Sequence, residues 1–194
     1  MKNPMSTPRC PFRAFGRDEA GSVVAETVIV LPLFIWAYVA LFVYWDSFRS
    51  LNTVQKAAYT ISDMLSREQT AKTTDYINGM SRVLDFLIDK NQDAKLRVTE
   101  VTFSGANNRY EVHWSRSPGN AMTPLTTADL QTMTNQIPKM SPSDFAEIVE
   151  VQVDYRPSLD IGMPDQTFNL FVVTRPRFAS CITMDDPTGG CTMP

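Results

Sequence analysis

The sequence has little of what enzymes use for chemistry. It holds one histidine, His113, and three cysteines, Cys10, Cys181 and Cys191, with no CxxC pair among them. A zinc site or a dithiol redox centre therefore has almost nothing to be built from. GxSxG, HExxH, GxGxxG and a glycine-rich loop ending in GK[ST] are all missing, which removes the recognisable hydrolase, metalloprotease and nucleotide-binding signatures. His113 stands between Val112 and Trp114 in an alternating run, so alternation predicts a solvated residue on the polar side of a strand. The stretch Asp185 to Gly190 (DDPTGG) resembles a crude calcium loop, but it lacks alternating oxygen ligands and a closing glutamate. No catalytic residue, metal or cofactor is expected, and the protein is not read as an enzyme.

Basic clusters are also missing. Eighteen Lys and Arg face twenty-one Asp and Glu, a net charge of −3. That balance argues against nucleic acid as a partner. The charge is uneven, however. Residues 1–21 carry Lys2, Arg9, Arg13 and Arg17 against Asp18 and Glu19, which leaves the rest of the chain acidic. Neither proline nor glycine occurs between Leu33 and Thr74, so nothing in that interval breaks a helix.

What is present is a long apolar run. Thr27 to Trp45 (TVIVLPLFIWAYVALFVYW) contains no charge, and from Val23 onward only Glu26 interrupts it. As helix, the run from Val23 extends roughly 35 Å, against about 30 Å for a bilayer core. The run is too long for the apolar region of a secretory signal, and no Ala-x-Ala site closes its far end. The basic segment before it predicts a cytoplasmic N-terminus and an exported remainder. The expected organisation is a leader over 1–21, a transmembrane helix over 22–45 embedded in the lipid bilayer, and an extracytoplasmic domain over 46–194. Tyr44 and Trp45 suit the outer interface, and Pro32 is expected to kink the span.

Past the span the period stays helical. Phe48, Leu51, Val54, Ala58, Ile61 and Leu65 recur at three- and four-residue spacing, predicting one helix from Ser22 to Gln69 whose second half is amphipathic. A second helix is expected from Thr74 or Asp75, either residue serving as cap, with the stripe Tyr76, Met80, Val83, Leu84, Leu87 and Ile88. The period then shortens to two. Leu96 to Phe103 and Arg109 to Arg116 read as a hairpin around Gly105-Ala106-Asn107-Asn108, with Tyr110, Val112 and Trp114 on one face. A short helix from Thr126 or Thr127 to Ile137 follows, then strands over Glu147 to Tyr155 and Thr167 to Thr174. The fold class is α+β: a long N-terminal helix packed on an antiparallel sheet with additional short helices. Once the leader is cytoplasmic or removed, Cys181 and Cys191 remain as an even pair. A disulfide between them would contribute about 2–3 kcal/mol, with two free thiols as the alternative.

Glu26 is costly in an apolar span unless it is partnered or close to the interface. A helix dipole accounts for it if it lies in the first turn. Cleavage of the Gly21–Ser22 bond would supply another partner, a new amine at Ser22, either its own or a neighbouring subunit's.

Gly21, Ser22 and Glu26 occupy positions that resemble the processing site of type IV prepilins. More narrowly, FGRDEAGSVVAETVIVLPLFIW, followed by SFRSLNTVQKAAYTISDMLSRE and the late RPRFA, resembles TadE/TadG-family (TadE-like) pseudopilins of the tight-adherence (Flp, type IVb-like) pilus system. The resemblance implies a pilin-like fold and cleavage after Gly21 by a prepilin peptidase. It also implies residence in the inner membrane, with the C-terminal domain in the periplasm, possession of Glu26 as an assembly contact, and a minor role in building the pilus. Implied partners are that peptidase, other Tad pilus subunits and inner-membrane assembly proteins. Ser22 departs from the phenylalanine common at the first mature position, and Pro32 falls early in the span. An uncleaved single-span envelope scaffold or adaptor is the alternative.

Overall fold

The computed structural model describes residues 20–88, 92–159 and 161–185. The chain divides into two compact units, which meet in sequence at Tyr44 and Trp45. Helix α1, Ala20–Ser66, is 47 residues long and continuous through Pro32. In the first unit its large apolar side chains, from Val23 to Tyr44, are mostly bare, with relative exposures of 54–73% for those on the surface. This part of α1 is long and apolar enough to cross a membrane by length and composition.

In the second unit the same helix is a core element. Val54, Ala58, Ile61 and Leu65 are fully buried. The buried face begins with Ser47 and Ser50, whereas Phe48, placed on the stripe by its spacing, is exposed. Small residues let this turn of α1 approach its neighbours closely. Ser50 Oγ accepts from Gln92 Nε2 at 2.7 Å, and Asp46 Oδ2 accepts from the Tyr155 hydroxyl at 3.0 Å. The helix stops at Ser66, three residues short of the expected Gln69, with Arg67 and Glu68 donating back in tighter i→i−3 fashion. The carbonyl left open at Ser66 accepts the Arg177 N–H at 2.8 Å, so the late segment of the chain satisfies a helix end.

Helix α2, Thr74–Leu87, is capped by Thr73, one residue before the expected position, whose side chain accepts from the Tyr76 N–H. Its buried residues are Ile77, Met80 and Leu84; Leu87, expected on the stripe, is exposed. Ile77 completes an i, i+3, i+7 row that fits a helical face better than Leu87 does.

Four strands follow: β1 (Asp93–Ser104), β2 (Arg109–Arg116), β3 (Phe145–Tyr155) and β4 (Gln166–Thr174). They form one antiparallel sheet in the order β2-β1-β3-β4. The β1–β2 hairpin turns at Gly105 to Asn108, with Asn108 at φ 49, a left-handed conformation that asparagine tolerates. Helix α3, Thr127–Thr132, begins with a capping box between Thr126 and Asp129 and passes through Met133 into a 3₁₀ turn at Thr134–Gln136.

Both faces of the sheet are covered. On one, Leu96, Val98, Trp114, Val149, Val151 and Val153 pack with α1 and α2. On the other, Val101, Ala146 and Ile148 pack under Leu125, Leu130, Ile137 and Met140. The expectation that Tyr110, Val112 and Trp114 share a face is corrected here. Glu100 pairs with Trp114 but Val101 pairs with Val112, so the register shifts and His113 is an extra residue, a β-bulge. The bulge separates Trp114, in the first core, from Tyr110 and Val112, which pack on the second.

Candidate functional site

Two places carry unusual chemistry, one in each unit. In the first, Gly21 and Ser22 lie in the first turn of α1, which starts at Ala20. Glu26 is exposed on the helix and follows that turn, where the favourable pull of the helix N-terminus has largely fallen away. No acid stands in the first turn of α1.

In the second unit the sheet buries two glutamates directly opposite each other. Glu100 on β1 pairs in register with Glu147 on β3, and both side chains are fully buried. Both lie at apolar-face positions: Glu100 continues Leu96 and Val98, and Glu147 precedes Val149, Val151 and Val153. Glu100 uses both oxygens. Oε2 lies 2.7 Å from His113 Nδ1, and Oε1 accepts the Ile182 N–H at 2.6 Å. The carbonyl of the same Ile182 accepts from Trp114 Nε1 at 2.9 Å. One residue of the late segment is thus held by side chains at its donor and its acceptor.

Glu147 has no such support. Neither carboxyl oxygen has a hydrogen-bond partner, beyond a weak local contact with its own amide. Burial, first, and the nearby Glu100, second, push its carboxyl up to about 8, so it carries a proton at neutral pH. On the β3 side of the pair, Glu147 is therefore a neutral acid.

His113 was expected to be solvated. Its side chain is only 9% exposed, paired with Glu100 and set edge-on to Phe145 with centroids 5.5 Å apart. The bulge is the cause, because the extra residue turns His113 to the face of Trp114. Cys181 is buried and disulfide-bonded. Cys191, its expected partner, lies outside the described residues, as do Cys10, the expected leader before Ala20 and most of the Asp185 to Gly190 stretch. Among the described residues no group of three or more His, Cys, Asp or Glu side chains is arranged to hold a metal ion.

The polar seat had a signal in the sequence. Extending the alternation of β1 and β3 by one step places both glutamates on the core face. The bulge had none, since nothing in RYEVHWSR marks the extra residue. No family model, curated protein or solved structure matches this chain.

Proposed function

We propose that this chain is a minor pilin-like (pseudopilin) subunit that takes part in assembling a tight-adherence-type pilus. The observation that carries the reading is the division of α1. Its first part is bare and apolar on its surface, and its second part is built into an α+β domain. A non-enzymatic subunit of this kind needs a segment that packs in lipid and against other spans, followed by a domain that supplies specific contacts. Glu26, exposed on the apolar segment, is available for a charge on a neighbouring subunit. In this reading the span sits in the inner membrane, the N-terminus is cytoplasmic and the domain is periplasmic.

The test is the N-terminus of the mature protein, taken from membranes that contain a prepilin peptidase. The expected product begins at Ser22 and is lost in Gly21→Leu. A chain still beginning at Met1 or Lys2 would sink the processing step. One observation favours the alternative, an uncleaved single-span scaffold: α1 already includes Ala20 and Gly21, so a peptidase must unwind the first turn to reach the bond. Glu26→Val separates the two readings further. It leaves insertion intact in both, but weakens co-purification with pilus subunits only in the first.

A further inference from the structure

The segment Arg177–Asp185 lies across the domain as a strap. At its start the Arg177 N–H donates to the Ser66 carbonyl, and the guanidinium meets Asp63 at 3.4 Å. At its end the Lys72 N–H donates to the Thr183 carbonyl at 2.8 Å, and the Asp185 N–H donates to the Lys72 carbonyl at 2.7 Å. Between these anchors, Cys181, Ile182 and Met184 are buried. Ile182 is fastened to the sheet by Glu100 and Trp114.

That middle fastening sits on the acid pair. Glu100 has both oxygens committed, one to His113 and one to Ile182, and Glu147 opposite it has no partner. If Glu147 ionises while the strap is seated, its charge stands buried opposite Glu100 with no partner. If the strap lifts at Ile182, water reaches the carboxyls and that charge becomes tolerable.

We propose that Arg177–Asp185 is a proton-gated strap, seated while Glu147 holds its proton and released at Ile182 when that proton passes to bulk water. Among the described residues, the charged groups on the elements beside Glu147 are engaged elsewhere. On β1 the facing group is Glu100, and on the β2 bulge it is His113, which is held by Glu100. On β4 the register partner is the uncharged Thr174, and Arg175 beyond it is engaged by Asp144. On α1, Asp63 is engaged by Arg67 and Arg177. On the strap itself, Cys181 and Ile182 carry no charge. Burial and the charge of Glu100 hold the Glu147 carboxyl near 8 when closed, against 4.5 for the free group. Opening therefore releases one proton across that interval, and the open fraction rises by up to tenfold per pH unit. The device belongs to the domain and does not depend on what the span anchors it to.

Hydrogen exchange read by mass spectrometry on the full chain in lipid nanodiscs tests this, from pH 5 to 8 and corrected for intrinsic exchange. Protection of a peptide covering 177–185 is expected to fall with rising pH, approaching tenfold per unit at its steepest, while a peptide covering 145–155 keeps its protection. Glu147→Gln, which mimics the protonated side chain, should flatten the dependence. His113→Asn should leave it in place. Glu100→Gln, which can still accept from Ile182, should move it to lower pH. A flat wild-type profile, equal loss in both peptides, an unchanged slope in Glu147→Gln, or a slope abolished by His113→Asn alone would each overturn the proposal.

Discussion

The two units place polarity in opposite ways. From Val23 to Tyr44, α1 turns its apolar side chains outward and carries its acid, Glu26, on the surface. In the second unit the apolar stripe of α1 from Val54 to Leu65 turns inward, and two acids, Glu100 and Glu147, are enclosed in the same unit. One helix belongs to both arrangements, so helical propensity cannot be what distinguishes them. The angular distribution of apolar residues does. A stripe needs a protein partner on one side, while apolar residues all round the helix need an apolar solvent.

The sharpest way to break this contrast is to place the same kind of polar change in each half. Leu65→Asp puts an unpartnered charge into the core, and we expect a loss of more than about 4 kcal/mol, enough to prevent cooperative unfolding from being seen. Far-ultraviolet circular dichroism during denaturant titration reads this directly. The domain should survive the equivalent change at Ile35, whose side chain is 56% exposed; the cost there should appear as poorer membrane insertion.

Next in size is the enclosed acid. Glu147 titrates near 8 in the fold and near 4.5 when free. Its raised value contributes stability in full below about pH 4.5, and that contribution is lost as pH rises towards 8. The slope is about 1.4 kcal/mol per pH unit inside the window. Glu147→Gln should remove this slope and leave the variant more stable than the parent at pH 8. Chemical denaturation at pH 5, 6.5 and 8 checks it, and equal slopes in both proteins would show that the acid is not protonated in the fold.

A smaller effect is expected at Trp114→Phe. The ring still fills most of its site, but the bond to the Ile182 carbonyl is gone, costing about 1 kcal/mol. Exchange at the strap should rise more than exchange at β3. Smallest of all, Ile35→Ala should shift domain unfolding by less than about 0.5 kcal/mol, whereas Ile61→Ala should cost about 3 kcal/mol. If the two alanine variants behaved alike, the division of α1 into a bare half and a docked half would fail.

Much of the architecture could be read from the residues. The unbroken interval after Leu33 foretold one helix through Ser66, and the Gly105-Ala106-Asn107-Asn108 turn fixed the hairpin. Both later strands lie within two residues of their expected bounds. What escaped was set by contacts distant in sequence. Ser66 ends the helix because Arg177 arrives to take its carbonyl, more than a hundred residues later. His113 is enclosed because β2 gains a residue against β1, which no local preference announces. The coverage of both sheet faces depended on Leu125, Leu130, Ile137 and Met140, whose short, irregular surroundings show no amphipathic period. Of the expected site, Glu26 lies exposed on α1.

The bulge at His113 gives β2 something like a reading frame. Before it, Tyr110 and Val112 serve one side of the sheet; after it, Trp114 serves the other. Deleting His113 would remove the bulge: Trp114 would follow Val112 directly and, by plain alternation, still stand opposite Glu100 on its present side of the sheet. Glu100 would lose its histidine, while the indole kept its side and the Ile182 carbonyl its donor. The frame is lost in the other case: if β2 kept His113 but paired it opposite Glu100, Trp114 would fall on the side of Val112 and the seat of the strap would lose its indole.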